Sequence, residues 1–165
     1  RILNEKTVEK IEQKSVKTEY GRFNLILYKD LIFDETHLVL QKGKISKNSP
    51  TLVRVQQSNF FHDLLNINEF GARWSVSDSM KKINEVGKGI ILLIDGENHK
   101  QDEFNEINAS KKRRITVPNN DPRRIGIGSQ ILRDLGVKKI KLMGSEVRYP
   151  SLSGFDLEVT EYIKK

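Results

Sequence analysis

The first third of the chain alternates apolar and polar residues in the way that half-buried β-strands do. The clearest case is a strand predicted over residues 18–28, with alternating apolar side chains at Phe23, Leu25 and Leu27. Shorter segments of the same character predict strands over residues 37–40 and 51–55.

A helix and a buried strand are predicted next along the chain. The helix has apolar residues at helical spacing, namely Val76, Met80 and Ile83. Ser75 or Ser77 is a suitable N-cap, and Gly87 is a suitable residue to end the helix. The apolar run at residues 89–94 shows no alternation, which predicts a strand buried on both faces.

A helix followed by a strand is predicted again near the C-terminus. A second helix is predicted over residues 126–135, with apolar residues one turn apart at Ile127, Ile131 and Leu135. Gly136 follows it as the C′ residue, and a strand over residues 138–143 should turn Ile140 and Leu142 inward. A last strand is predicted from the alternation of Phe155, Leu157 and Val159. Helix followed by strand occurs twice, so we expect an α/β fold with a mixed sheet and flanking helices.

Length and polarity set the expected domain boundaries. The chain has 165 residues, which favours one domain or at most two small ones. Residues 1–17 are polar and rich in lysine, so we expect a linker there and one domain over residues 18–165. Because the first residue is Arg1, we expect a fragment or a processed form. No secretory signal or apolar run of membrane-spanning length occurs, so we expect a cytoplasmic protein with no membrane partner.

The net charge of +7 favours anionic partners such as nucleotides or phosphorylated metabolites. The basic residues are spread along the chain, and the densest run, at residues 111–114, has neither apolar periodicity nor interleaved aromatic residues. A nucleic-acid-binding module would need a contiguous basic face, so we rank that function third.

Most motifs that could carry chemistry fail on spacing. The glycines of Gly126-Ile-Gly128 lack both a preceding strand and a third small residue, so they indicate a tight start to a helix and not a dinucleotide site. The histidines, at positions 37, 62 and 99, lack the spacing of a zinc pair on a helix, although a site assembled in space stays open. Asp121 and Arg123 precede the second helix and could hold a phosphate at its N-terminus, or could form only a cap or surface ion pair.

Four colinear segments resemble the GTP cyclohydrolase II family, whose zinc enzymes open the guanine ring of GTP. The likeness spans roughly residues 7–163, and it is carried by residues 18–23, 50–55, 75–93 and 126–142. Residues 1–17 also resemble the linker of the bifunctional riboflavin-biosynthesis enzymes, in which a 3,4-dihydroxy-2-butanone 4-phosphate synthase precedes the cyclohydrolase. The resemblance therefore implies an upstream synthase domain.

The resemblance also implies that the metal centre of the family is lost. Its three cysteine ligands correspond to Asn59, Phe70 and Ala72, and the whole chain contains no cysteine. Zinc in the family generates the attacking hydroxide, because a bound metal lowers the pKa of water toward neutrality. We therefore expect no metal ligands at these positions, no zinc cofactor and no ring opening.

The nucleotide site of the family is only partly retained. Arg54 and Glu97 match family positions that bind the nucleotide, and Asp121 and Arg123 match the proposed general base and the arginine nucleophile that releases pyrophosphate. Other family positions are replaced, at Gln57, Asp95, Ser110, Gly144 and Tyr149. Because a triphosphate needs several cations, we expect at most weak binding of GTP or a phosphate ligand.

Two functions follow from the resemblance. The first is a degenerate, non-catalytic domain that serves a structural, dimerising or regulatory role beside a synthase domain, and we expect a homodimer. The alternative is a domain that still binds GTP or phosphate and performs metal-independent phosphoryl chemistry through Asp121 and Arg123. The sequence leaves open whether this domain is itself an enzyme.

Overall fold

The computed structural model describes residues 6–57, 74–94, 126–144 and 156–165. Within these ranges the chain forms a seven-stranded mixed sheet in the order β1-β2-β3-β5-β4-β6-β7, with two helices packed against it. The prediction of an α/β fold with a mixed sheet and flanking helices is therefore confirmed.

One half of the sheet is an antiparallel meander formed by β1 (Val8–Thr18), β2 (Gly21–Asp30) and β3 (Glu35–Lys42). The predicted linker at residues 1–17 thus contains most of a strand, and the sheet begins at Val8, ten residues before the expected boundary. The strand predicted over residues 18–28 begins later than expected, because Thr18 ends β1 and a tight turn follows, in which Gly21 adopts a φ of 116°.

The other half of the sheet is parallel and contains β5 (Gly89–Ile94), β4 (Thr51–Gln57), β6 (Lys139–Met143) and β7 (Glu158–Ile163). β5 joins the two halves, since it also pairs antiparallel with β3. The predicted burial of β5 on both faces is confirmed: Ile90, Ile91 and Leu92 are all fully buried.

The last strand lies several residues beyond the predicted position. Alternation at Phe155, Leu157 and Val159 placed it too early, whereas β7 covers Glu158–Ile163. The register of the β6–β7 pair shifts between Ile140 and Lys141, directly after Ile140 pairs with Val159.

Helix α1 (Val76–Val86) packs on one face of the sheet. Ser75 is the N-cap and its hydroxyl accepts from the backbone N–H of Asp78, while Gly87 ends the helix in the left-handed conformation, so both predicted ends are confirmed. The helix approaches β5 closely, since a Cβ on Gly89 would lie 2.7 Å from Cγ1 of Ile83. The core on this side contains Phe23, Leu52, Met80, Ile83, Ile91 and Met143.

Helix α2 (Ile127–Asp134) packs on the opposite face, where its Ile127, Ile131 and Leu132 are buried. The buried residues beneath it come from six strands, β1 to β6, and include Val8, Ile26, Tyr28, Val39, Val53, Val55, Ile90, Leu92, Ile140 and Leu142. Gly136, with a φ of 93°, leads from α2 into β6, so the N-terminus of α2 lies at the sheet edge where the parallel strands have their carboxyl ends. Ligands of open α/β sheets bind at the carboxyl ends of the strands, so we expect a site at that edge.

Candidate functional site

Arg54 is the one predicted site residue that the structure describes, and it lies in the middle of β4 on the α1 face. Side chains of a strand alternate between faces, so Arg54 points away from Val53 and Val55, which pack under α2. Its side chain is almost completely buried, with only 7% of the residue exposed.

Protein acceptors surround the guanidinium of Arg54. Nε donates to Oε1 of Gln56 at 2.8 Å, Nη1 to the carbonyl oxygen of Met143 at 3.0 Å, and Nη2 to the carbonyl oxygen of Trp74 at 2.9 Å. Each nitrogen of the fork is therefore engaged by a group of the fold. A buried arginine with such partners holds β4, the end of β6 and the start of α1 together.

Trp74 extends this network to the last strand. Its indole N–H donates to the carbonyl oxygen of Ile163 at 3.0 Å, and the same oxygen accepts from the N–H of Gly144 at 2.9 Å. Sequence reasoning did not assign a role to Trp74. The available signal was that it is the single tryptophan of the chain, and a buried indole N–H usually finds an acceptor.

The remaining predicted site residues lie outside the described residues. These are Asp121 and Arg123, Glu97, and the three positions that correspond to zinc ligands, Asn59, Phe70 and Ala72. The described chain stops at Ile94 on the carboxyl end of β5 and resumes at Gly126 at the start of α2, both at the same edge of the sheet. Both described ends therefore lie at the edge where the parallel strands have their carboxyl ends.

The start of α2 is capped differently from that of α1. Its N-cap is Gly126, in the left-handed conformation with a φ of 86°, and it offers no side-chain hydrogen bond to the first turn. Ser75 provides such a bond at α1. The predicted tight start of the second helix at Gly126 is thus observed, and the positive φ explains why glycine is suited to this position.

A second polar network connects β2 and Lys6, which precedes β1, to α2. The Tyr28 hydroxyl donates to Oδ2 of Asp134 at 2.6 Å, and Lys6 Nζ lies 2.9 Å from Oδ1 of the same residue. Burial raises the pKa of Tyr28, and the hydrogen bond to Asp134 raises it further. Burial alone would raise the pKa of Asp134, but the hydrogen bonds from Lys6 and Tyr28 outweigh it and hold that pKa below its usual range.

The residue after Lys6 is fixed to the same helix. Gln130 accepts from the backbone N–H of Thr7 at 2.6 Å and donates to the Thr7 hydroxyl at 2.9 Å. The Thr7 carbonyl in turn accepts from the N–H of Leu31 at 2.8 Å. The start of β1 is therefore held between α2 and the β2–β3 turn, which an unattached linker would not be.

Three comparisons with known proteins bear on this geometry. A model of the GTP cyclohydrolase II family matches residues 9–164. A 3,4-dihydroxy-2-butanone 4-phosphate synthase from Pseudomonas aeruginosa is 40% identical over 99% of this chain and 45% of its own length. The riboflavin biosynthesis protein RibBA of Cytophaga hutchinsonii is 32% identical over 99% of this chain and 43% of its own length.

A solved protein structure has a fold similar to that of this chain. The two-domain 3,4-dihydroxy-2-butanone 4-phosphate synthase RibBX of A. baumannii is 32% identical, with a TM-score of 0.61 over 98% of this chain and 42% of that chain. The present chain thus spans less than half the length of these relatives. Among the described residues, neither helix is long and apolar enough to cross a membrane.

Proposed function

The chain belongs to the GTP cyclohydrolase II family of riboflavin biosynthesis, and we propose that it is a degenerate member that has lost zinc and ring-opening activity. In this proposal it serves a structural, dimerising or regulatory role beside a 3,4-dihydroxy-2-butanone 4-phosphate synthase domain, in a cytoplasmic homodimer.

The observation that carries the proposal is the absence of cysteine from a chain that otherwise matches the family along its length. The resemblance aligns Asn59, Phe70 and Ala72 with the three thiolate ligands, and neither phenylalanine nor alanine has a side chain that binds a metal. Ring opening needs a hydroxide near neutral pH, which the family obtains from water on zinc. These positions offer nothing that replaces it.

The surroundings of Arg54 support the same proposal. Arg54 is the nucleotide-binding match that the structure describes, and its guanidinium is engaged by Gln56, Met143 and Trp74. Because a charged hydrogen bond contributes about 1.5–3 kcal/mol, moving this side chain to a phosphate would sacrifice several such bonds. Its retention is explained by the fold without a nucleotide.

The relatives support a role beside a synthase. Several are named as 3,4-dihydroxy-2-butanone 4-phosphate synthases, and RibBX is described as having two domains. The start of β1 is fixed to α2 through Thr7 and Gln130, so a domain placed upstream would be attached close to the body of this one.

An assay of formate release from GTP, with zinc supplied, tests the proposal. We expect the chain to give no formate above the blank, while an active GTP cyclohydrolase II assayed in parallel does. Formate production that stops on chelation would overturn the proposal. A full-length protein should show synthase activity that persists when Arg123 is replaced by alanine.

A second candidate function is weak phosphate binding or phosphoryl chemistry through Asp121 and Arg123. It is favoured by the position of both residues just before α2, whose N-cap Gly126 leaves the first turn without a side-chain cap. Phosphorus NMR of GTP incubated with the protein should then show pyrophosphate, and Arg123→Ala should abolish it. Unchanged GTP in both samples would eliminate this candidate.

A further inference from the structure

Three side chains that can ligate a metal meet where the β2–β3 hairpin turns, away from Arg54. Asp30 pairs with Glu35 across the hairpin, and Tyr28 pairs with His37 one step further in. Because side chains of a strand alternate, Asp30, Glu35 and His37 lie on the same face of the sheet, the α2 face. One ligand atom from each lies within 4.8 Å of the other two.

The cluster is buried to an extent that is unusual for its charges. Asp30 and His37 have no exposed surface, and Glu35 is half-buried. Val8, which pairs with Asp30 from β1, is buried on the same face and helps to exclude water. Carboxylates are rarely buried completely unless they are paired or coordinate a metal.

Asp30 is placed to use one oxygen for the fold and the other for a ligand. Its Oδ1 accepts from the backbone N–H groups of Ile32 at 2.9 Å and Phe33 at 3.3 Å, which fixes the turn and the orientation of the carboxylate. Its Oδ2 is buried and has no hydrogen-bond partner among the residues that the structure describes. A buried acceptor of this kind costs free energy unless a ligand or an ion satisfies it.

We propose that Asp30, Glu35 and His37 form a binding site for a divalent transition-metal ion of the zinc class. Two carboxylates offset the charge of such an ion, and an imidazole selects it over Mg²⁺ and Ca²⁺, which prefer oxygen ligands. Three protein ligands leave a fourth position of a tetrahedral zinc for water or for a group from outside.

The distances fit this assignment after a small adjustment. Two ligands that each lie about 2.1 Å from zinc are about 3.4 Å apart in tetrahedral geometry. The separations of up to 4.8 Å exceed this distance by no more than about 1.4 Å, an amount that side-chain rotation can supply. Glu35, at the first position of β3 and half-buried, has room to make that movement.

This site uses other residues than the positions that correspond to the family's cysteine ligands. It is built from the hairpin on the α2 face, whereas Arg54 lies on the α1 face of β4. It is nevertheless close to the edge where the parallel strands end, because Leu38 of β3 pairs with Leu93 and β5 ends at Ile94. The inference is independent of the proposed function, since metal bound here does not replace the ligands missing at Asn59, Phe70 and Ala72.

Titration of the metal-stripped chain with Zn²⁺ and with Co²⁺ at neutral pH tests the site. Wild type should bind one ion per chain with micromolar affinity or better. Loss of an outer-shell partner alone typically weakens metal binding by about 10–100-fold. Glu35→Gln and His37→Gln, which each remove a direct ligand, should weaken zinc binding by at least this factor. Asp34→Asn, which changes the neighbouring exposed carboxylate that pairs with Lys29, is the matched control and should bind as wild type does.

Two further measurements keep the result decisive. The variant His62→Gln/His99→Gln leaves His37 as the single histidine, so cobalt absorption typical of a four- or five-coordinate ion in that variant assigns the imidazole without disturbing the hairpin. Circular dichroism checks that each variant is folded. A wild type that binds no zinc would overturn the site. Equal zinc binding by folded wild type, Glu35→Gln and His37→Gln would overturn it as well.

Discussion

Arg54 and Met143 are 89 residues apart in sequence, and the Nη1 of Arg54 donates to the Met143 carbonyl oxygen at 3.0 Å. This bond ties the middle of β4 to the last residue of β6, its parallel neighbour in the sheet. An arginine that resembles a ligand-binding residue is thereby part of the scaffold.

Arg54→Met should destabilise the domain by about 2–4 kcal/mol, because it removes the three described hydrogen bonds and leaves the carbonyl oxygens of Met143 and Trp74 without this donor. Urea unfolding measures the change. The control is Arg22→Met on an exposed position of β2, which should alter the free energy of unfolding by no more than about 0.5 kcal/mol. If Arg54→Met left stability unchanged but weakened GTP binding, Arg54 would be a ligand residue.

Leu92→Asp should prevent folding. Leu92 is fully buried in the middle of β5 under α2, so the substitution buries a charge with no partner, at a cost of roughly 4 kcal/mol or more. Leu38→Asp, on the adjacent strand β3 with 38% of the residue exposed, is the matched control and should remain folded. Circular dichroism and thermal melting distinguish the two, and an ordinary melting transition for Leu92→Asp would contradict the described core.

Asp134→Asn should lower the free energy of unfolding at pH 7, and this difference from wild type should disappear in acid. The folded pKa of Asp134 is lowered, so its ionised form contributes stability that is fully present above the unfolded pKa of about 3.9 and is lost as the pH falls through the folded value. The gap between the unfolding free energies of wild type and variant should therefore close below about pH 4.

Lys6→Met provides the control for this mechanism. Lys6 forms the ion pair with Asp134, so the effect of Asp134→Asn at pH 7 should be smaller in the Lys6→Met background. A gap that stayed constant from pH 7 into acid would show that the charge of Asp134 does not stabilise the contact between α2 and the first strand.

The parts of the fold that sequence reasoning predicted are those in which burial or capping imposes a residue type. β5 is a run of apolar residues because both faces are covered, and α1 begins and ends at residues whose conformations favour caps, Ser75 and Gly87. β1 was missed because it is an edge strand held by backbone pairing with β2, and its alternating lysines and glutamates remain exposed.

The role of Arg54 could not be predicted for a related reason. Of the three acceptors among the described residues, two are backbone carbonyl oxygens, at Met143 and Trp74. Every residue has a backbone carbonyl, so the sequence does not show which of them accept from an arginine. Likewise, His37 joins Asp30 and Glu35 only through the register of the hairpin. The sequence leaves that register open until the turn is known to span residues 31–34.

Titration calorimetry with GTP tests the central claim, that this member of the family has lost its catalytic nucleotide site. An anion held by Arg123 and the amides of a helix start gains about 1–3 kcal/mol, whereas a dissociation constant of 1 mM already requires about 4.1 kcal/mol. The account therefore predicts no binding of GTP tighter than roughly 100 μM, since the family's other contacts are replaced at Gln57, Asp95, Gly144 and Tyr149. A micromolar dissociation constant that is lost in Arg123→Ala would contradict it and would make this chain a nucleotide-processing domain.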